Sequence, residues 1–447
     1  MAKSFRKILT KALLVLLIVV AAVLLIRAIL NYTTGRRLTK YLETTKAEGL
    51  PLRVKDLVPA CPDSENAAPL WKAAEELFKI DREDRDLMNR IISGFFKNES
   101  IEPGARERLT ALAEKNRRLI DLVVEAGSRP CFRYGDWSQP SYAVGQPKLI
   151  IIVQTARLLA IDAVLRADRG EVKEALDECL RGMRFVRLLA DEPLLINVLV
   201  ALADMRILQA AFNQIVQDRA IAPDVLDFWI KELDPLSWRS RFIRFLPGER
   251  ANILEIGLDI IGGKIGILFD SKKPGIFRRF YYWLIRPILK SECLWVMKHW
   301  DGYTDLDSRS YWQTRDSLAQ KSLEAAHPPW YFKMAGDLLP EVQTTFYKEA
   351  MLEAMMQATR AGLAAKLYDA QTKRFPDSLE ALVPGILKEV PIDPFTGKPL
   401  VFKVQNGELL IYSLGSNLKD DGGRMTYMIT KLVMDKDDDW SWREKIK

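Results

Sequence analysis

An uninterrupted apolar segment near the start of the chain constrains its fold more than any other feature. Residues 12–26 are all apolar, and Ala28, Ile29 and Leu30 extend the run past a single Arg27. Nineteen residues of helix span roughly 28 Å, close to the hydrocarbon thickness of a bilayer. We therefore predict a transmembrane helix over residues 12–30, with Arg27 near one end, where its side chain reaches the headgroups.

A cleaved signal peptide is the alternative, since Lys3, Arg6, Lys7 and Lys11 form a basic segment before the apolar run. No A-x-A cleavage site follows, and the run is long enough to cross a membrane, so we favour an uncleaved anchor. A short basic N-terminus favours a cytoplasmic location for it. The prediction is a single-pass protein of the bacterial inner membrane, with the bulk of the chain periplasmic or otherwise exported.

The composition argues against several classes of function. The 447 residues carry 66 Lys and Arg against 59 Asp and Glu, and a net charge of +7 is mild for a nucleic-acid-binding protein. Two histidines, His299 and His327, cannot form a multi-histidine metal site. No G-x-S-x-G, P-loop, H-E-x-x-H or G-x-G-x-x-G motif is present. Enzymatic activity is uncertain, and a non-enzymatic role is the better prediction.

The middle of the chain has a helical pattern. A Pro-containing tether at 31–69 precedes a helical domain at 70–340, where apolar residues recur at spacings of three and four. The clearest predicted helices are 70–80, 104–126, 148–168, 172–190, 194–218 and 223–233. Residues 156–190 resemble a tetratricopeptide-like helical hairpin that turns at 168–171. No 34-residue period runs through the chain, so we favour a plain helical bundle over a repeat solenoid.

Positive charge is concentrated in residues 231–300, which hold thirteen Lys and Arg against seven Asp and Glu. Within this region, residues 272–300 interleave aromatic and basic side chains. Such a helix either lies in a membrane interface or packs its aromatic side chains into the bundle. We favour packing, because Pro287 and Glu292 interrupt a continuous amphipathic stripe.

Few other polar residues suggest a role. His299 is more readily structural than a general base. The pair Asp191-Glu192 before Pro193 is typical of a helix N-terminal cap, and Glu249-Arg250 of a local surface ion pair.

The four cysteines show no CxxC spacing. Cys61 and Cys131 lie in predicted loops and could pair if exported. Cys179 and Cys293 lie in helical segments and are predicted to be buried thiols.

The C-terminal region, 341–447, differs from the rest. A helical pattern ends at Arg374-Phe375-Pro376-Asp377. Two short apolar runs, 401–404 and 409–412, then flank Asn406-Gly407, a strong signal for a β-hairpin. The prediction is one long helix packed on a small antiparallel sheet. The whole chain is therefore predicted to be mainly α, with a small α+β module at its end.

Five motifs in this region occur in a recognisable order. They are Leu367-Tyr368, Arg374-Phe375-Pro376, 379–383 (LEALV), 393–400 (DPFTGKPL) and 412–415 (YSLG). Together, over residues 350–424, they resemble the globular half of type II secretion major pseudopilins. The apolar anchor lacks the family's leader glycine and helix glutamate, and about 310 residues separate it from the module. We interpret the module as joined to a different anchored protein.

The resemblance implies a calcium loop after the Ser-Leu-Gly strand end. The implied ligands are the carbonyl of Leu414 and the side chains of Asn417, Asp420 and Asp421, with glycines allowing the loop to curl. Asn417 stands where the family has aspartate. The alternative is a polar turn whose side chains hydrogen-bond the backbone. The acidic run 435–439 lacks the glycine and glutamate of an EF-hand and is predicted to be a solvated tail.

These observations predict an anchored envelope protein that acts as a binding or scaffold protein. Its predicted partners are the lipid bilayer, through residues 12–30, and an unknown protein; nucleic acid is not expected. An accessory component of a type II secretion or pilus-like machine is the alternative, and an envelope hydrolase using carboxylates of the helical domain is a second one. Calcium is the one cofactor that the sequence suggests.

Overall fold

A computed structural model describes residues 2–97, 99–217, 219–233, 245–266, 276–303, 310–332, 335, 342–423 and 440–446. The α-helices are α1 Ala2–Ala47, α2 Ala68–Leu77, α3 Arg82–Phe96, α4 Pro103–Lys115, α5 Arg117–Ala126, α6 Leu149–Asp168, α7 Val172–Leu189, α8 Leu195–Val216, α9 Pro223–Glu232, α10 Phe245–Gly262, α11 Ile276–Asp301, α12 Tyr311–Ala325 and α13 Val342–Thr372. Single 3₁₀ turns lie at Val54–Asp56, Ser141–Ala143 and Glu380–Leu382. The strands are β1 Val401–Gln405, β2 Glu408–Ser413 and β3 Trp440–Lys445. The predicted fold class, mainly α with a small antiparallel sheet near the end, is confirmed.

Helix α1 is exposed in its first half and packed in its second. It is long and apolar enough to cross a membrane, and none of its apolar window is buried in the protein. Beyond residue 30, Thr34, Leu38 and Thr45 are buried. The sequence predicted a tether with one or two short helices from residue 31, whereas residues 31–47 continue helix α1. The buried face of residues 31–47 includes the threonines Thr34 and Thr45, so apolar periodicity alone does not indicate a helix there.

Helices α6, α7 and α8 pack against one another at the centre of the helical part. The predicted hairpin of α6 and α7 is confirmed, and its turn uses Gly170 at a φ of 90°. Gly182 on α7 lets the two helices approach closely, because a Cβ there would lie 2.8 Å from Cδ2 of Leu159. Helix α8 is also apolar enough to cross a membrane, but 78% of its apolar window is buried. It is the core helix of this bundle.

The predicted helix 104–126 is two helices, α4 and α5, separated at Asn116. The buried Asn116 side chain donates to the Leu112 carbonyl (3.0 Å) and accepts from the Lys79 amide (3.2 Å). The second bond satisfies the backbone after α2. Asn116 is the single residue between the two helices, and its side chain bonds to two backbone groups.

The C-terminal sheet has the order β1-β2-β3 and is antiparallel throughout. The predicted hairpin is confirmed, and its turn residues Asn406 and Gly407 have φ values of 52° and 74°, as a type I′ turn requires. Strand β3 was not predicted, and residues 435–439 of the expected acidic tail lie outside the described residues. The sheet packs on α13, which in turn packs on α8 and α9.

A disulfide joins Cys61 to Cys131, 70 residues apart. The pairing suggested by the sequence is therefore present. Cys179 and Cys293 are buried free thiols, as predicted, and burial raises the pKa of both.

Candidate functional sites

A buried arginine joins the anchor helix to the helical domain. Arg250 on α10 is 2% exposed, and its Nε donates to Oδ1 of Asp301 at 2.8 Å. Its Nη2 donates to the hydroxyl of Tyr41 on α1 at 2.6 Å, and that hydroxyl donates to Oδ2 of Asp301 at 3.0 Å. Burial raises the pKa of Tyr41 above its ordinary value, so the phenol stays protonated. This triad connects α1, α10 and the end of α11, and the predicted local pair Glu249-Arg250 is wrong.

Glu249 instead accepts from the backbone amide of Leu195 at 2.9 Å and so caps helix α8. The sequence pattern predicted that Asp191-Glu192 forms this cap, and the prediction is wrong for Glu192. The Glu192 carboxylate accepts from Nε1 of Trp137 at 2.9 Å and from Arg133 at 3.4 Å. The cap comes from a residue 54 positions away, which local spacing cannot reveal.

Helix α11 runs parallel to α1 and contacts it from the end of the apolar segment onwards. Pro287 has no amide hydrogen, so the carbonyl of Trp283 lacks its helical donor. Arg27 supplies it, with Nη2 at 2.6 Å and Nε at 3.1 Å from that carbonyl. Its guanidinium carbon also lies 3.4 Å from the centre of the Trp283 ring. Farther along, Nζ of Lys290 donates to Oδ1 of Asn31 at 2.9 Å.

The packing expected for the aromatic residues of 272–300 is only half right. Trp300 is buried and Trp295 is partly buried against the core. Phe277 and Phe280, at the other end of α11, are 88% and 61% exposed. The expectation is wrong for this end, because α11 extends beyond the bundle.

An apolar pocket of about 580 Å³ lies between α7 and α9. Its walls include Leu176, Leu180, Ile221 and Val225, and Phe228 at its edge is 44% exposed. Lys173, Asp177 and Asp224 supply charge around it. A surface of this kind suits an apolar side chain of a protein partner.

The predicted calcium loop holds its side chains in other contacts. Oδ2 of Asp420 accepts from Nζ of Lys403 at 2.7 Å, and its Oδ1 accepts from the Tyr412 hydroxyl at 2.7 Å. These bonds lower the pKa of Asp420 to about 2. Asn417 donates to Oδ2 of Asp421 at 2.7 Å. The amide of Leu414, whose carbonyl was the implied ligand, donates to Asp393 at 3.0 Å.

This donor set does not fit calcium in the conformation described. The ammonium of Lys403 already neutralises Asp420, and calcium needs six to eight free oxygens. Within the described residues, no group of three or more His, Cys, Asp and Glu side chains could hold a metal ion. Calcium binding stays a prediction. Equal thermal midpoints of the full-length protein in calcium and in chelator would contradict it, and a higher midpoint in calcium would support it.

The second alternative, a hydrolase, needs a carboxylate of raised pKa at a pocket. Burial raises the pKa of Glu178 to about 9, while Arg117 and Arg166 hold the neighbouring Asp162 ionised. Burial also raises the pKa of Glu192 to about 7 and that of Asp204 well above its ordinary value. All four carboxylates are buried, and none lines the pocket between α7 and α9.

The predicted structural role of His299 agrees with its contacts. Its Nδ1 is 2.8 Å from the carbonyl of Trp295, one turn earlier in α11, and its ring lies 3.9 Å from the indole ring of Trp295. The histidine therefore stabilises the end of the helix.

Compared with known proteins, the chain matches no family model, no curated protein and no solved structure. The resemblance of residues 350–424 to pseudopilins thus rests on its five motifs and stays a prediction.

Proposed function

We propose that this protein is a membrane-anchored, exported scaffold of the bacterial envelope, with no catalytic role. The observation that carries the proposal is the continuity of α1. One helix includes the apolar segment and then packs into the domain, where Tyr41 and Thr45 contact Arg250. The domain is therefore held at a fixed height above the bilayer, as a scaffold requires, rather than swinging on a flexible linker.

The disulfide supports export. Cys61–Cys131 closes a loop of about 70 residues, and disulfides persist in oxidising compartments such as the bacterial periplasm. With the basic residues before the anchor favouring a cytoplasmic N-terminus, the proposed location is the inner membrane with the domain in the periplasm.

The apolar pocket between α7 and α9 is the proposed site for a protein partner. Phe228 and its apolar surroundings resemble the anchoring pockets of protein interfaces, and the charged rim would set orientation. The pocket opens to solvent on the helical part of the chain, and no residue of the C-terminal sheet lines it.

The alternative is an accessory role in a type II secretion or pilus-like machine. It is supported by the ordered pseudopilin-like motifs and by the hairpin of the C-terminal sheet. Strand β1 pairs on one side with β2, and among the described strands its other side has no partner. An edge of this kind can pair with a strand of another protein. In this alternative the partner is a pilin-type protein.

Photo-crosslinking in cells tests both roles on the full-length chain. A photoreactive residue is placed at Phe228 in the pocket, at Val404 on β1, or at Leu323 on α12 as a control; all three side chains are exposed. Truncation is unsuitable, because removing α13 would uncover α8 and α9.

We expect one protein to be captured at Phe228 and not at Leu323. Capture of a pilin-type protein at Val404 alone would favour the accessory role. Identical adducts at all three positions, or none at any, would contradict both.

A further inference from the structure

Three contacts fix the register between the anchor helix and α11. Arg27 meets Trp283, Asn31 meets Lys290, and Tyr41 meets Asp301. The residue numbers rise together along both helices in these pairs, so α11 runs parallel to α1.

The parallel register sets the height of the start of α11. Ile276 lies seven residues before Trp283, which is about 10 Å along a helix axis. Because the helices are parallel, Ile276 lies beside the apolar part of α1, on the N-terminal side of Arg27. The first two turns of α11 therefore lie level with residues of the anchor that are in the bilayer.

The exposed side chains of these turns are those that a membrane interface accepts. Ile276 and Phe277 are 78% and 88% exposed, and Phe280, Tyr281 and Trp283 are 61%, 46% and 40% exposed. Aromatic residues with a polar edge, such as Tyr and Trp, are enriched where the hydrocarbon meets the headgroups. In water, so large an apolar surface would be unfavourable.

Basic side chains lie at the level where lipid phosphates are expected. Arg27 and Lys290 bond to neutral groups of the neighbouring helix, and none of the ion pairs among the described residues includes Arg27, Arg286 or Lys290. Burial, with Arg286 and Arg27 nearby, lowers the pKa of Lys290. An anion at this position would offset the mutual repulsion of these cations.

We propose that residues 276–284 form a second membrane contact beside the anchor. The apolar side chains enter the outer part of the hydrocarbon in the leaflet that contains the C-terminal end of the anchor. Arg27, Arg286 and Lys290 face the phosphates of the phospholipid headgroups. The partner is the bilayer and not a second protein, because the surface continues directly from the apolar face of α1. The proposal rests on the anchor of the proposed function.

Spin labelling of the full-length protein in phospholipid nanodiscs tests the contact. Single cysteines replace Phe277 on α11, Leu16 in the anchor, or Val404 on β1; all three positions are exposed, so folding is not disturbed. The native cysteines are buried or in the disulfide and do not react. Accessibility is measured to oxygen, which concentrates in lipid, and to a nickel chelate, which stays in water.

We expect Phe277→Cys to resemble Leu16→Cys, with a ratio of oxygen to nickel accessibility several-fold above that of Val404→Cys. A water-like ratio at 277 with a lipid-like ratio at 16 would overturn the second contact and leave the anchor intact. Low accessibility to both reagents at 277 would show that protein covers the surface, and would also overturn it. A water-like ratio at 16 would contradict the anchor itself.

Discussion

Glu192 is a carboxylate buried where its charged form is unfavourable. It is 2% exposed, and its contacts with Trp137 and Arg133 do not compensate fully for the loss of water. The pKa therefore rises from 4.5 to about 7 in the folded protein. Because the folded pKa is raised, the folded state holds its proton to higher pH than the unfolded state does. The contribution of Glu192 to the free energy of unfolding is fully present below about pH 4.5 and is lost as the pH rises to about 7.

We predict that Glu192→Gln removes this part of the pH dependence. A shift of this size corresponds to ~3 kcal/mol, so between pH 5 and pH 8 the variant should gain ~2 to 3 kcal/mol relative to the parent. Urea unfolding in detergent at both pH values measures the gain. Glu107→Gln, at an exposed position, is the matched control. An equal pH dependence of parent and Glu192→Gln would contradict the assignment.

Gly362 shows how a single contact fixes an element. It lies on α13 under Trp442 of β3, which is fully buried, and a Cβ at Gly362 would lie 2.3 Å from the indole ring. Alanine normally stabilises a helix by ~1 kcal/mol over glycine. Here the clash pushes the strand away, and overpacking of this kind costs ~1 to 3 kcal/mol.

We predict that Gly362→Ala lowers the free energy of unfolding despite the better helix propensity. Gly385→Ala is the control, because a Cβ there meets nothing within 4 Å. Thermal unfolding monitored by tryptophan fluorescence should show a lower midpoint for Gly362→Ala alone. Equal midpoints would mean that β3 does not pack on α13 in this way.

The elements predicted from sequence are those fixed by local signals. The hairpin of β1 and β2 follows from Asn406-Gly407, and the hairpin of α6 and α7 from its apolar periodicity and Gly170. Strand β3 was missed because its place depends on Trp442 packing against a glycine 80 residues earlier. The cap of α8 by Glu249 and the contact of Arg27 with the carbonyl freed by Pro287 are likewise long-range. For the contact of Arg27, the only signal in the sequence is Pro287, which leaves a helix carbonyl without its donor.

At the scale of the molecule, Arg250 holds the anchor helix to the domain. We predict that Arg250→Met costs ~2 to 3 kcal/mol, because hydrogen bonds to Tyr41 and Thr45 are lost from a buried site. Arg181→Met, which removes an exposed ion pair with Asp177, should cost less than ~1 kcal/mol. Urea unfolding measures both.

A second measurement separates anchoring from stability. Spin labels at Tyr32 on α1 and Leu323 on α12, both exposed, report the distance between the anchor helix and the domain. We expect a narrow distribution in the parent and a broad one in Arg250→Met. A narrow distribution in both would show that the α1–α11 contacts alone fix the anchor.

The disulfide connects the fold to the compartment in which the protein works. If the domain is exported, Cys61 and Cys131 are oxidised in cells, and only Cys179 and Cys293 react with a thiol reagent after denaturation. Deleting residues 1–30 should leave the chain in the cytoplasm, where reducing conditions keep disulfides from persisting, so all four thiols should react. Cys61→Ala is the control and should give three reactive thiols in the full-length chain. Four reactive thiols in the unaltered full-length protein would place the domain in a reducing compartment and contradict export.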